Sequence, residues 1–296
     1  MIHGFFTGSP LEITLKTPAW QTNSLRLGGG DPNILKYRDE DLVVTVDNVK
    51  VAYFPVPKAA NTSMKHLLHN IRTGEKYVGV RDEAKGTHRH IHKEYGTPKF
   101  SSINPKEYRG FFKLAIVRDP VDRVISAWRN RVVHHKELDG VKSAIKIAEL
   151  GINPKPSLSE FVYNIESYRA ASSSIEIHTD SLTEFLGSTR SYYDIIFDIS
   201  ESRQIELFFS TLTGEPKKLP RKQVGGPPAD RDELSAALIR KLESAYENDY
   251  QVFGHAFGKQ SDDETIVRLA EKHKASLNGF FKRFTWGQWA KKTPNF

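Results

Sequence analysis

A single segment of this chain, residues 49–71, reads VKVAYFPVPKAANTSMKHLLHNI and joins a strand, a turn and a helix. Residues 49–54 are rich in β-branched and aromatic side chains, which are typical of a buried strand. Four apolar residues further along follow the i, i+3, i+4, i+7 spacing of one helix face: Met64, Leu67, Leu68 and Ile71. The short turn PKAANTS, residues 57–63, is therefore expected where a sheet strand ends and a helix begins.

This turn, called loop 57–63 below, has the features of an anion-binding site. Backbone N–H groups at a helix N-terminus have no helical partner, and the helix dipole also attracts negative charge. Lys58 adds a full positive charge, while Thr62 and Ser63 add hydroxyl donors. The order differs from a Walker A loop, because the lysine comes first and no glycine is present. A purely structural interpretation, a turn capped by Asn61 or Thr62, stays open at this point.

The composition narrows the classes of protein that fit. The chain has 296 residues, enough for one large α/β domain with appendages. Cysteine is absent, which excludes disulfides, cysteine-ligated metals and a catalytic thiol. The net charge of +7 suits nucleic acid, an anionic surface or an anionic small molecule, and does not choose among them. We find no signal peptide and no run long enough to span a bilayer, so a cytoplasmic location is expected.

A second strand, turn and helix are predicted at residues 111–128, which read FFKLAIVRDPVDRVISAW. The apolar run 111–117 predicts a strand, and the residues after it show helical periodicity. Asp119 is placed as the N-cap of that helix, and Pro120 takes its first position. Arg118 therefore falls at the carboxyl end of a strand, which is where open α/β sheets bind their ligands.

Shorter periodic segments predict the other elements. Strands are expected at residues 42–46 and 192–199. Helices are expected at residues 157–168, 178–186 and 202–212, and after a capping box formed by Asp230 and Glu233.

The chain is expected to contain three regions. Residues 1–40 are predicted to be irregular, residues 41–260 to form the α/β domain, and residues 261–296 to form a basic, aromatic extension. One hypothesis is that the aromatic side chains of the extension contact an anionic membrane surface or an acceptor. We prefer packing on the main domain, because large apolar side chains are usually buried. The residues concerned are Phe280, Phe281, Phe284, Trp286 and Trp289.

Taken as a pair, the two turns resemble the sulfotransferases that use 3′-phosphoadenosine-5′-phosphosulfate. PKAANTS resembles the 5′-phosphosulfate loop of that superfamily, P-K-x-x-x-T-S, and RDPVDRVISAW resembles its 3′-phosphate element, R-D-P-x-x-R-x-x-S. The later runs HTDSLTEFLG and YYDIIFDISE are similar to the membrane-associated carbohydrate sulfotransferases. The resemblance implies an α/β fold of the P-loop-kinase-like type, with a central, mostly parallel sheet flanked by helices.

The resemblance also implies which residues hold the donor, whose two anionic ends need two sites. The residues expected at the phosphosulfate end are Pro57, Lys58, Ala59, Ala60, Asn61, Thr62 and Ser63. Arg118 and Ser126 are expected at the ribose phosphate. Arg221 and Lys222, in a basic Gly/Pro-rich loop, either close over that phosphate or are merely solvated.

Two roles are possible for Arg123: it contacts the phosphate, or it forms a salt bridge to Asp119 or Asp122. We favour the salt bridge.

Three histidines at alternate positions, His88, His90 and His92, are candidates for the general base. Alternation would place all three on one face if the segment were a strand. The resemblance supports a base here, because glycan 2-O-sulfotransferases carry an H-x-H element between the same two motifs. His90 is the preferred base and His88 the second choice. A solvated loop, contact with an acidic acceptor and a metal site stay open, although the chemistry needs no metal and we expect none.

The resemblance thus implies an enzyme that transfers a sulfuryl group to a hydroxyl of a glycan, glycolipid or small molecule. Lys58 would stabilise the leaving phosphate, and the product would be adenosine 3′,5′-bisphosphate. One alternative is an ATP-dependent kinase of related fold, which would need a Walker A lysine that is missing here. The other is a basic nucleic-acid-binding module, for which only the extension offers a fragment, so we expect no nucleic acid partner.

Overall fold

The computed structural model centres on a four-stranded sheet. Its strands, in spatial order, are β1 (Val44–Val46), β2 (Val51–Phe54), β5 (Phe112–Val117) and β6 (Ile195–Asp198). β1 and β2 pair antiparallel, whereas β2, β5 and β6 run parallel, as in an α/β protein. Because β2 and β5 are parallel neighbours, the turns that follow them leave from the same edge of the sheet.

The structure describes residues 43–79, 81–82, 87–88, 90–222, 226 and 229–290, with the backbone alone at 81–82, 87–88 and 278–290. All of these residues belong to one compact unit that spans residues 37–296. The predicted irregular segment, residues 1–40, lies outside the described residues. A small second sheet pairs β3 (Arg81–Asp82) with β4 (Thr87–His88).

The α-helices lie between β2 and β6 in the chain and after β6. They are α1 (Asn61–Thr73), α2 (Pro120–Ala127), α3 (Val141–Leu150), α4 (Leu158–Tyr163), α5 (Ile165–Ala171), α6 (Ser173–Thr179), α7 (Leu182–Leu186), α8 (Ser202–Thr213), α9 (Ala236–Ala245), α10 (Glu247–Phe253) and α11 (Asp263–Ala290). A π-helical turn, Trp128–His134, continues α2. Short 3₁₀ helices lie at Ile91–Lys93, Phe100–Ser102, Pro105–Tyr108, Arg190–Tyr192, Arg231–Glu233 and Gly254–Ala256.

The core lies between the sheet and its flanking helices. All four residues of β2 are buried, and the last four of β5 are buried too, which fits parallel strands covered on both faces. Met64 and Leu68 of α1 and Phe208 of α8 are almost fully buried in the same cluster. Each such side chain contributes roughly 1.5–3 kcal/mol on burial. The core therefore fixes the strand ends from which the candidate site is built.

The structure confirms both strand–turn–helix units and corrects details elsewhere. Asp119 is the N-cap of α2, as predicted, and its side chain accepts hydrogen bonds from the backbone of Val121 and Asp122. The single helix predicted at residues 157–168 is two helices that meet at Asn164.

The predicted capping box at Asp230 and Glu233 is wrong. Asp230 caps only a 3₁₀ turn, because the chain leaves helical geometry at Leu234. The next helix, α9, takes Ser235 as its N-cap instead.

The first part of the C-terminal extension packs on the main unit. Ile266 and Ala270 of α11 are fully buried, and His273 Nε2 donates to the carbonyl of Val49 at 2.8 Å. The five aromatic side chains predicted to pack here lie outside the described residues, so their packing stays a prediction. Within the part of the chain that is described, no helix is both long and apolar enough to cross a membrane.

Candidate active site

Loop 57–63 is strained at two positions that are not glycine. Lys58 has a φ of 64° and Ala60 a φ of 54°, both in the left-handed region. Such a conformation costs of order 1–3 kcal/mol per residue and is concentrated at functional sites. Ala60, rather than the predicted Asn61 or Thr62, is the N-cap of α1, and it makes no side-chain cap hydrogen bond. The predicted capping by Asn61 or Thr62 is therefore wrong, and the first amides of α1 have no side-chain cap, as in helix N-termini that bind anions.

Lys58 lies in a strongly positive environment. Burial, together with the guanidinium charges of Arg131, Arg118 and Arg129, lowers the pKa of its ammonium to about 7. An ammonium that is both buried and close to other positive charges is typical of a site that binds an anion. Lys58 thus interacts with Arg118, the residue predicted for the second anion site.

Arg118 follows β5 directly and is half-buried. Burial lowers the pKa of its guanidinium, although the carboxylate of Asp122 acts in the opposite direction. The register of the sheet pairs Phe54 of β2 with Ala115 of β5, so both turns begin at the same level of the sheet. The structure therefore brings Lys58 and Arg118 together at one edge.

Arg123 does not make the predicted salt bridge to Asp119 or Asp122. It is 1% exposed, and its guanidinium donates to the carbonyl of Pro57 at 3.3 Å and to that of Asp180 at 2.9 Å. The two aspartates pair instead with Arg231, whose Nε lies 2.8 Å from Asp122 Oδ1. Arg123 therefore fixes the position of the Pro57 carbonyl at the start of loop 57–63.

The basic Gly/Pro-rich loop contacts loop 57–63 and the π-helical turn that follows α2. The backbone N–H of Lys222 donates to Ser63 Oγ at 3.2 Å, and an Arg129 N–H donates to the carbonyl of Gly226 at 3.2 Å. The side chain of Arg221 is exposed beside this contact. At Gly226 the loop approaches so closely that an added Cβ would lie 2.5 Å from the carbonyl oxygen of Arg129. The loop is thus held by one contact at Ser63 and a second at Arg129.

The three candidate histidines do not share one strand. His88 ends β4, where only its backbone is described, and the chain then turns into the 3₁₀ helix that contains His92. The common face that a single strand would give them does not form, because the alternation of side chains ends with the strand at His88. His90 is exposed, and its Nδ1 accepts from the backbone N–H of His92 at 3.3 Å. Their rings stack with centroids 4.9 Å apart.

His92 connects loop 57–63 to a lysine that the sequence analysis missed. Its Nε2 lies 2.8 Å from Thr62 Oγ1 and its Nδ1 lies 2.9 Å from Lys65 Nζ. Lys65 also donates to Thr97 Oγ1 at 2.8 Å, which accepts from Asn61 Nδ2 at 3.0 Å. Thr62 and Lys65 are three apart on a helix, so their shared face is visible in the sequence. No local signal indicates that His92 joins them.

The family model described as "Sulfotransferase family" matches residues 41–256 of this chain, which is well over half of it. The chain belongs to the sulfotransferase family. Carbohydrate sulfotransferase 10 of Gallus gallus is 32% identical over 103 residues, which cover 33% of this chain and 28% of the relative. The Homo sapiens protein of that name is 29% identical over 103 residues, with the same coverage. The match thus spans under a third of these curated relatives, and no solved structure matches the chain.

A further group of cations in this sulfotransferase follows α2 and was not predicted. The π-helical turn Trp128–His134 carries Arg129 and Arg131, whose charges act on Lys58. Turns of this kind often mark functional sites, because the widened turn re-aims side chains. His178 lies near them and hydrogen-bonds through Nδ1 to the Ser174 carbonyl at 2.7 Å. Burial, and next the Arg131 charge, lower the pKa of His178 to about 3.

The remaining predicted residue of the sulfotransferase site is Ser126. It lies on α2, two turns after Arg118, and is half-buried. Among the residues with described side chains, no group of three or more His, Asp or Glu is arranged to hold a metal ion.

Proposed function

We propose that this sulfotransferase transfers a sulfuryl group from 3′-phosphoadenosine-5′-phosphosulfate to a hydroxyl of a carbohydrate or glycolipid. The observation that carries the proposal is the pair of turns after β2 and β5, where Lys58 and Arg118 are near enough for their charges to interact. A nucleotide with a phosphosulfate at one end and a phosphate on its ribose needs two such anion sites on one edge of the sheet. The name of the curated relatives supports a carbohydrate acceptor.

In this proposal the strained loop holds the phosphosulfate. The amides at the start of α1, the Lys58 ammonium and the hydroxyls of Thr62 and Ser63 are the donors. Arg118 offers planar, bidentate hydrogen bonds to the ribose phosphate, with Ser126 beside it. The loop that contains Arg221 and Lys222 would close over that phosphate. We also propose that the sheet and its helices form an α/β fold of the P-loop-kinase-like type.

The proposed reaction is an in-line displacement at sulfur, by analogy with phosphoryl transfer. The acceptor oxygen forms a bond to sulfur, while the bond between sulfur and the bridging oxygen of the 5′-phosphate breaks. Negative charge grows on that leaving oxygen, and the Lys58 ammonium stabilises it. Removing one such preorganised donor typically costs about 2.7–4 kcal/mol in the transition state.

His90 is the proposed base for the acceptor proton, with His88 as the second candidate. His90 is exposed beside the loop, so an acceptor can reach it. Partial desolvation of the ring, which stacks on His92, together with the charges of Lys65 and Arg131, lowers the pKa of His90 and keeps it neutral at pH 7. The cytoplasmic location, and contact of the C-terminal extension with a membrane, stay predictions.

A thermal-shift comparison tests this function. Adenosine 3′,5′-bisphosphate is expected to stabilise the protein without metal, because it binds the folded state alone. Arg118→Ala should weaken that effect, whereas Arg72→Ala, at the far end of α1, should not.

Stabilisation only by ATP with magnesium would favour a kinase instead. Salt-dependent stabilisation by short oligonucleotides, without an effect of the bisphosphate, would favour a nucleic-acid-binding protein.

A further inference from the structure

Two side chains that the proposed chemistry does not use, His92 and Lys65, form a hydrogen-bonded row behind loop 57–63. The row runs from Thr62 Oγ1 to His92 at 2.8 Å, and from His92 to Lys65 Nζ at 2.9 Å. Lys65 is 0% exposed and Thr62 is 6% exposed. We infer that Lys65 and His92 are positioning residues, which act through Thr62 and direct its hydroxyl proton toward the donor nucleotide. This inference rests on the proposed function.

The direction of each hydrogen bond follows from the available donors. A lysine ammonium has three donors and no acceptor, so Lys65 Nζ donates and His92 Nδ1 accepts. A neutral imidazole with an unprotonated Nδ1 carries its proton on Nε2, and that N–H donates to Thr62 Oγ1. The Thr62 oxygen therefore acts as the acceptor on this side. Its own O–H can then donate to an anion bound in loop 57–63, to which the first α1 amides would also donate.

The surroundings of His92 keep its ring neutral. Burial lowers the pKa of His92 to about 2, and the Lys65 charge acts in the same direction. A charged ring would have to donate from Nδ1 as well, against the Lys65 ammonium, and the row would break. Because both ring nitrogens of His92 are already engaged, the ring has no free nitrogen for the acceptor proton. His92 therefore orients a donor-binding hydroxyl, and it is distinct in role from the proposed base His90.

A double-mutant cycle on the full chain tests the coupling, with adenosine 3′,5′-bisphosphate as the probe in calorimetric titrations. A hydrogen bond to a charged group is lost when the Thr62 proton points elsewhere, so His92→Leu should weaken binding by about ten- to a hundredfold. Thr62→Val should weaken it by at least as much. The double variant should bind no more weakly than Thr62→Val alone, because His92 acts only through that hydroxyl. Losses that simply add would overturn the inference.

The conservative variant His92→Gln separates positioning from proton transfer. Its amide can donate to Thr62 and accept from Lys65, so it should recover most of the affinity and turnover that His92→Leu loses. A general base could not be replaced in this way, and failure of His92→Gln to recover turnover in a folded protein would contradict the inference.

The matched control is His69→Leu, which removes a histidine bonded to Tyr95 Oη at 2.8 Å near the other end of α1. His69→Leu should leave affinity for the bisphosphate unchanged. An equal loss in this control would show a general effect of histidine removal, and would overturn the specific role of His92. Thermal midpoints of each variant confirm that it is folded.

A spectroscopic readout does not depend on activity. The ¹⁵N spectrum of the ligand-free protein at pH 7 should show His92 protonated at Nε2 and unprotonated at Nδ1. The opposite tautomer, or a charged ring, would overturn the inference even if the bisphosphate binds. The expected tautomer in a chain that binds no bisphosphate would instead refute the proposed function, and the role of the pair with it.

Discussion

Raising the pH from 7.5 to 9.0 should weaken the binding of adenosine 3′,5′-bisphosphate, because Lys58 loses its proton in the free protein. The pKa of Lys58 is lowered from 10.5 to about 7 by burial and by the charges of Arg131, Arg118 and Arg129. Two phosphates at the site would restore an ordinary pKa to the bound lysine, so binding above pH 7 requires uptake of a proton.

The size of the effect follows from the fraction of free protein whose lysine is charged. With a pKa of about 7 in the free state, that fraction falls about 20-fold between pH 7.5 and 9.0, and the dissociation constant rises by the same factor. The second phosphate pKa, about 6, lies below this range. His90, His92 and His178 have lowered pKa values and are neutral throughout it. Of these four side chains, Lys58 is therefore the one that changes charge between pH 7.5 and 9.0.

Isothermal titration at several pH values, in two buffers of different ionisation enthalpy, measures both the affinity and the uptake of about one proton at pH 8.5. The control is Lys58→Arg, whose guanidinium stays ionised, so its affinity should not change over the same range. A flat curve in the natural protein, or an equal slope in Lys58→Arg, would refute the assignment.

The lowered pKa of Lys58 also determines how the stability of the ligand-free protein changes with pH. The unfolded chain holds the Lys58 proton up to about pH 10.5, whereas the folded, ligand-free protein releases it above about pH 7. The contribution of this group to the free energy of unfolding therefore rises with pH between these values.

Three further outcomes are expected. Lys58→Ala should still fold but should lower turnover by about a hundredfold or more in a sulfuryl-transfer assay, and near-normal turnover would exclude its role at the leaving oxygen. Arg123→Met should cost about 3–5 kcal/mol in urea unfolding, because it leaves the buried Asp249 carboxylate without the Arg123 charge and the Pro57 and Asp180 carbonyls without that donor; a cost below 1 kcal/mol would contradict this. Gly226→Ala should weaken binding of the bisphosphate, because the left-handed φ of 84° and the 2.5 Å approach to Arg129 displace the loop, and unchanged affinity would show that the loop is not needed.

Much of the fold could be predicted because its signals are local. The strands β2 and β5 are continuous apolar runs, and Asp119 and Pro120 mark the start of α2 by capping chemistry alone. Strand pairing then places Lys58 and Arg118 at one sheet edge, since parallel neighbours share their carboxyl ends.

The errors concern contacts made at long sequence separation. The salt bridge predicted between Arg123 and Asp119 or Asp122 would join residues that are close in the sequence. The structure gives Asp119 to Arg231 instead, while Arg123 turns into the core to hold the Pro57 carbonyl.

The row through His92 was invisible for a similar reason. His92 reaches Lys65 and Thr62 only because the chain returns to α1 after the small β3–β4 sheet. The alternation of the three histidines would place them on one face only in a strand, and nothing in that alternation shows that β4 stops at His88. Nor does the helical period of residues 120–134 show that α2 widens into a π turn at Trp128.

The most direct test of the account is a crystal structure of the protein with adenosine 3′,5′-bisphosphate. We predict one nucleotide whose 5′-phosphate lies within hydrogen-bond distance of Lys58 Nζ and the first amides of α1, and whose 3′-phosphate is bound by the Arg118 guanidinium. A nucleotide that contacts only one of the two turns, or that binds at another surface, would contradict it.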